Sequence, residues 1–95
     1  MKRKSSPQEI AKMVGVSTSR GVEAVLKAQL ISAVIKEVEA QNMTHSELAK
    51  KSKVPRSAVT GIISGSLQKV TIDRILKLVD AVGLIPHVKL TKVAS

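Results

Sequence analysis

Apolar residues recur at helical spacing through the first half of the chain. They repeat every four residues at Val22, Leu26, Leu30, Val34 and Val38. The segment around them is rich in Ala, Leu, Glu, Gln and Lys, which favour helix. We therefore predict a long first helix that ends near Asn42.

Two short helices are predicted next, separated by a tight turn. Thr44 followed by Glu47 three residues later is a capping box, which starts a helix that ends near Ser52. The following helix, residues 55–64, opens on a proline, which lacks an amide hydrogen and suits the first position of a helix. Gly65 is well placed to end it.

A fourth helix and a strand complete the predicted elements. Thr71 caps this helix and Gly83 ends it. Residues 87–91 then alternate polar and apolar side chains, as a half-buried strand does, with Val88 and Leu90 on one side. A single strand needs a partner for its amides and carbonyls. Three partners fit: the same strand of a second subunit, residues 13–16 of this chain, or the edge of a toxin.

These elements predict a mainly α fold, a four- to five-helix bundle with one C-terminal β-strand that pairs across a dimer. The fifth helix is a short candidate at residues 7–14. We divide the chain into a basic N-terminal arm (1–20), a helical unit (21–83) and a C-terminal strand segment for dimerisation (84–95). The arm is either disordered, laid along DNA through Lys2, Arg3 and Lys4, or docked elsewhere.

Composition excludes several classes of function. The 95 residues include no Cys, Phe, Tyr or Trp. Disulfides, thiolate zinc sites, cysteine nucleophiles and aromatic base-stacking platforms are therefore absent. His87 has no second ligand nearby and suits a plain strand residue better than a metal site. No apolar run is long enough to span a membrane. We expect a cytoplasmic protein that is not an enzyme and uses no cofactor.

The net charge is strongly positive and unevenly distributed. The formal charge is +9 at pH 7, and no acidic residue lies between Glu47 and Asp73. Basic residues do occur there, at Lys50, Lys51, Lys53, Arg56 and Lys69. A polyanion is least repelled at this part of the chain.

The outward face of the third predicted helix has an unusual composition. Its members are Arg56, Ser57, Thr60, Gly61 and Ser64. An ordinary solvated helix face carries long Glu and Lys side chains, whereas this face is short, nearly uncharged and free of acids. Such a face suits either insertion into a DNA major groove or packing against another helix. The surrounding lysines favour DNA.

At these residues the sequence resembles the Cro/repressor-type (XRE-like) helix-turn-helix family. The resemblance rests on Thr-His-Ser-Glu-Leu-Ala at 44–49, Val-Pro-Arg-Ser-Ala-Val-Thr at 54–60, Gly65, and the helix from Thr71 to Gly83. It implies a lambda-repressor-like fold. Residues 62–67, the long first helix and the closing strand are more similar to one subgroup, the compact HigA-type antitoxins of toxin–antitoxin pairs.

The resemblance implies roles for individual residues. It places Arg56, Ser57, Thr60 and Gly61 against bases, and Thr44, His45, Ser64 and Ser66 against phosphate. His45 is equally well read as a solvated residue. The local charge adds Lys50, Lys51, Lys53 and Lys69 as phosphate contacts. Three residues depart from the pattern of the family or the subgroup. Lys53 stands where the turn commonly has Gly, Gly61 leaves a reading position without a side chain, and Val70 stands where the subgroup often has an aromatic residue.

We therefore expect a sequence-specific repressor of double-stranded DNA, bacterial or phage-like. It binds as a homodimer with residues 55–64 of each subunit in a major groove, at half-sites about 34 Å apart. Two alternatives stay open. One is an antitoxin that neutralises a ribonuclease toxin and autoregulates its operon, and the other is a helix-turn-helix protein that binds structured RNA.

Overall fold

The computed structural model describes residues 18–92, and four α-helices form most of that part of the chain. They are α1 (Thr18–Ala40), α2 (His45–Ser52), α3 (Arg56–Ile63) and α4 (Ile72–Ala81). The four main predicted helices are thus confirmed. α1 already includes Thr18–Arg20, the last residues of the segment predicted as an arm. The rest of that arm, with Lys2, Arg3, Lys4 and the candidate helix at 7–14, lies outside the described residues.

The core lies where the four helices meet. α1 packs against α4, α2 packs against both α3 and α4, and α3 also contacts α1. The largest fully buried side chains are Leu48, Ile62, Ile75, Leu78, Val34 and Val59. Burying one such side chain stabilises the fold by about 1.5–3 kcal/mol relative to leaving it exposed. The side of α3 opposite the predicted outward face packs into this core, where Val59 and Ile62 are buried.

The buried face of α1 is rotated relative to the four-residue apolar repeat in its sequence. Leu26 is 40% exposed, whereas its neighbour Lys27 is only 7% exposed. Ile31 and Val34 are the buried apolar residues of the helix. A helix turns once in 3.6 residues, so positions four apart drift by about 40° per repeat. The repeat predicts the helix correctly, but it does not follow one face along the whole length.

Three of the helices end in the same hydrogen-bond pattern, a Schellman motif. A residue with positive φ follows each end: Asn42 after α1, Gly65 after α3 and Gly83 after α4. At α3, the amide of Ser66 donates to the carbonyl of Gly61 and that of Gly65 to Ile62, both at 3.0 Å. This arrangement satisfies carbonyls that the helix itself leaves unpaired. Gly65 and Gly83 suit these positions because glycine adopts positive φ without strain.

The predicted C-terminal strand is not found in the described part of the chain. Residues 84–92 follow α4 without regular secondary structure. The physical reason is that a lone extended segment has no second strand to pair with. The apolar side chains stay in solvent: Ile85 is 83%, Val88 81% and Leu90 89% exposed. Pairing of this segment across a dimer stays a prediction.

The turn between α2 and α3 contains a strained residue. Lys53 has φ 62° and ψ 22°, which is the left-handed helical region. A side chain there costs about 1–2 kcal/mol relative to right-handed backbone, whereas glycine has no such cost. The turn between α2 and α3 thus has a left-handed residue, although that residue is lysine and not glycine.

We predict that Lys53→Gly stabilises the fold. Relief of the left-handed strain exceeds the roughly 0.4–1 kcal/mol that glycine adds to the entropy of the unfolded chain. Urea denaturation should show a free energy of unfolding higher by up to about 1 kcal/mol. The matched control is Lys53→Ala, which removes the same charge but keeps Cβ and should give no gain. Equal stability of the Gly and Ala variants contradicts the prediction.

Candidate nucleic-acid interface

The start of α2 is fixed by a reciprocal pair of hydrogen bonds. The Glu47 amide donates to Thr44 Oγ1 at 3.1 Å, and the Thr44 amide donates to Glu47 Oε1 at 3.0 Å. The predicted capping box is therefore confirmed. Hydrogen bonds from the backbone and the side chain of Thr44 lower the pKa of Glu47, and the nearby Lys51 lowers it further. A phosphate contact by Thr44 thus has to share a hydroxyl that already serves Glu47.

The angle between α2 and α3 depends on Ser52, a residue that the sequence did not single out. Its side chain is buried, its Oγ accepts from the Val54 amide at 3.2 Å, and it donates to the Ala49 carbonyl at 3.4 Å. Lys53 makes the left-handed step and Pro55 precedes the first residue of α3. The only sequence signal was a small hydroxyl residue at the end of a helix.

The outward face of α3 is uncovered. Arg56, Ser57, Thr60 and Ser64 are exposed and Gly61 is half-buried. A Cβ added at Gly61 would meet open space within 4 Å. Ser64 Oγ donates to the Gly61 carbonyl at 2.9 Å, so its hydroxyl hydrogen is used within the helix. The face is therefore small, polar and accessible along the whole of α3.

One side-chain contact joins this face to the start of α2. His45 Nδ1 lies 3.1 Å from Thr60 Oγ1. His45 is half-buried and Thr60 is exposed. The structure thus brings together a residue predicted to contact phosphate and a residue predicted to contact a base.

The predicted phosphate-contacting lysines lie in the segments directly before and after α3. Lys50, Lys51, Lys53 and Lys69 are all exposed. None of the four forms an ion pair with another residue of the described segment, in contrast to Lys27, which pairs with Glu23, and Lys77, which pairs with Asp73. Their charge therefore acts on the surrounding solvent, and on any polyanion that approaches.

A buried lysine of α1, Lys27, contacts the loop after α3. Its burial was not predicted from the sequence. Lys27 Nζ donates to the Leu67 carbonyl at 3.4 Å and lies 3.2 Å from Glu23 Oε1. Leu67 belongs to the loop that also carries Ser66 and Lys69. Lys27 thus ties α1 to a loop with two predicted phosphate contacts.

Potential metal ligands are not clustered in the described part of the chain. No three His, Cys, Asp or Glu side chains among residues 18–92 come close enough to hold a metal ion. His87 is exposed in the C-terminal segment. No helix in this part of the chain is both long and apolar enough to cross a membrane.

Comparison with known proteins agrees with this geometry. A family model described as a helix-turn-helix domain matches residues 16–90, which include all four helices. No curated protein matches the chain, and no solved structure matches it. The short helices α2 and α3, the tight turn between them and the bare face of α3 are the parts that define such a domain. The chain belongs to the helix-turn-helix domain family, and DNA is the partner that this family implies.

Proposed function

We propose that the protein is a sequence-specific repressor that binds double-stranded DNA as a homodimer, with α3 in the major groove. The bare, acid-free face of α3 supports this proposal most strongly. The major groove admits one α-helix and presents a distinct pattern of donors and acceptors at each base pair. Repression follows from occupation of an operator in the cytoplasm, and the protein needs no catalytic residue for it.

The residues of this face differ in what they can contribute to base recognition. Arg56 can donate two hydrogen bonds to the O6 and N7 atoms of guanine. Ser57 and Thr60 have one hydroxyl each, and Gly61 lets the helix backbone approach the groove closely. Because only one side chain is long, direct readout is sparse, and DNA shape contributes a larger share of specificity.

The C-terminal segment supports the proposal of a dimer. Ile85, Val88 and Leu90 expose apolar side chains that have no partner within the described chain. Pairing of this segment with its copy across a two-fold axis satisfies the backbone and covers these side chains. Binding to two successive major-groove half-sites requires the two copies of α3 to lie about one DNA turn, roughly 34 Å, apart.

The same exposed segment supports a second candidate, an antitoxin of the HigA type. In that role the segment pairs with the edge of a toxin, and DNA binding autoregulates the operon. The adjacent reading frame distinguishes the candidates, because an antitoxin gene lies beside the gene for a small basic ribonuclease. Binding of structured RNA is a third candidate, which competition between duplex DNA and RNA at fixed salt separates from the first.

We predict that Arg56→Ala relaxes sequence preference at one base pair. The lost bidentate contact is worth about 1–3 kcal/mol of discrimination for guanine. Selection of bound duplexes from a random library, performed with both proteins, measures this preference. The wild-type selection should also show two related half-sites. An Arg56→Ala variant that selects the same guanine as wild type contradicts the docking of α3.

Gly61→Ala separates stability from DNA binding. The added methyl meets open space in the free protein, and alanine should stabilise the helix by about 1 kcal/mol. If α3 lies in the groove, the methyl group instead reduces affinity for the selected duplex. Thermal denaturation and a binding titration measure the two effects. A variant that is more stable and binds DNA unchanged would show that this part of α3 does not approach DNA.

Lys50→Ala and Lys51→Ala should weaken binding to all duplexes alike. Each removes one phosphate contact, which lowers the slope of affinity against salt concentration by about 1. Binding titrations at several salt concentrations test this prediction with a specific and a random duplex. Lys36→Ala, which removes an exposed charge on α1, serves as the control. If affinity depends on salt concentration with the same slope in all three variants and in wild type, Lys50 and Lys51 do not contact phosphate.

Charged substitutions in the C-terminal segment should abolish the dimer. Val88→Asp or Leu90→Asp places carboxylates where the paired strands would pack, and burial of such a charge is strongly unfavourable. Sedimentation should give a dimer for wild type and a monomer for the variants. Thr91→Asp adds the same charge outside the apolar pair and is the control. If the wild-type protein is a monomer at the working concentration, the homodimer is refuted. The segment would then be available to bind another protein.

A further inference from the structure

The contact between His45 and Thr60 links the two predicted kinds of DNA contact. His45 is at the first position of α2 and Thr60 is in the middle of α3, on its outward face. Their Nδ1 and Oγ1 atoms are 3.1 Å apart, which is hydrogen-bond distance. The hydroxyl of Thr60 therefore already takes part in one hydrogen bond, on the face that is proposed to meet DNA.

Counting hydrogens shows why that partner matters. A threonine hydroxyl has one hydrogen to donate and two lone pairs that accept. A neutral imidazole has one nitrogen that donates and one that accepts. If His45 Nδ1 donates, the hydrogen of Thr60 is free for a base. If Thr60 donates to Nδ1, only its lone pairs face the groove.

A phosphate contact by His45 decides between these two arrangements. Phosphate oxygens only accept, so Nε2 of a neutral ring must carry the hydrogen to bind one. Nδ1 is then the accepting nitrogen, and Thr60 must donate to it. One ring nitrogen thus sets the hydrogen-bonding role of the other, as is general for histidine.

We infer that His45 fixes which class of base Thr60 recognises. With its hydrogen directed to His45, Thr60 accepts from an exocyclic amino group, which in the major groove belongs to adenine N6 or cytosine N4. It offers nothing to the O6 of guanine or the O4 of thymine. His45 is thus a specificity-determining residue that acts through Thr60. This inference rests on the proposed function, because it requires α3 to lie in the major groove and Nε2 of a neutral His45 to donate to phosphate.

The inference can be tested with four full-length proteins: wild type, Thr60→Val, His45→Arg and the double variant. Each is used to select duplexes from the same random library. Wild type should enrich adenine or cytosine at one position by about two- to tenfold, the range expected for one hydrogen bond. Thr60→Val keeps the shape of the side chain without its hydroxyl and should lose this preference.

His45→Arg should invert the preference. An arginine only donates, so it can still bind phosphate but leaves the Thr60 hydrogen free for guanine or thymine. In the Thr60→Val background, His45→Arg should have no further effect at this position, because the two residues act as one unit. The guanine preference assigned to Arg56 is the internal control, and it should persist in all four proteins, which also shows that each has folded.

Three results overturn the inference while the proposed function stands: a wild-type preference for guanine or thymine at this position, a preference that survives Thr60→Val, or no change in His45→Arg. The first of these is the pattern that a doubly protonated His45 produces, since that ring donates from both nitrogens. Absence of any sequence-selective duplex binding by wild type overturns the proposed function and the inference together.

Discussion

The packing of α2 against α3 is the constraint on which the rest of the structure depends. Helices of eight residues are marginal in isolation, because the cost of nucleation is spread over few hydrogen bonds. Here Leu48 of α2 and Val59 and Ile62 of α3 are almost completely buried together. Because these side chains place one side of α3 in the core, the opposite side of the helix faces the solvent. The exposed face is therefore a consequence of the core, and its small side chains make it available to a second surface.

The core contains no large aromatic side chains, because the sequence has no Phe, Tyr or Trp. Hydrogen bonds at the helix ends compensate in part. The capping box at Thr44, the buried hydroxyl of Ser52 and the three Schellman endings hold the helices at defined lengths and angles. Several of these residues also border the candidate DNA surface. The same polar groups thus keep short helices folded and present donors and acceptors beside α3.

Features that depend on neighbouring residues in the chain could be predicted from the sequence. The capping box, the proline before α3 and the glycines after α3 and α4 are local signals, and α2, α3 and α4 begin and end within about two residues of the predicted positions. α1 begins at Thr18, four residues before the first member of the apolar repeat, Val22. The inward face of α3 was also predictable, because a short helix has only one apolar side. Lys53 was recognised as unusual for a left-handed turn, and the structure has it in that conformation.

Features that depend on how helices rotate against each other could not be predicted. The burial of Lys27, which contacts the Leu67 carbonyl of a distant loop, and the exposure of Leu26 depend on how α1 packs in the tertiary fold, which no local pattern encodes. The bond between His45 and Thr60 joins residues fifteen positions apart and depends on the angle of the turn. The C-terminal strand is not found among residues 18–92 for a related reason, since its formation depends on a second strand that this part of the chain does not supply.

The central claim is that the outward face of α3 meets double-stranded DNA. Amide spectra of the isotopically labelled protein, recorded while the selected duplex is added, test it most directly. We predict that the signals of residues 53–66 shift most, and that those on the solvent side of α1 shift little. Large shifts confined to α1 or to residues 84–92, with the signals of α3 unchanged, would contradict the claim.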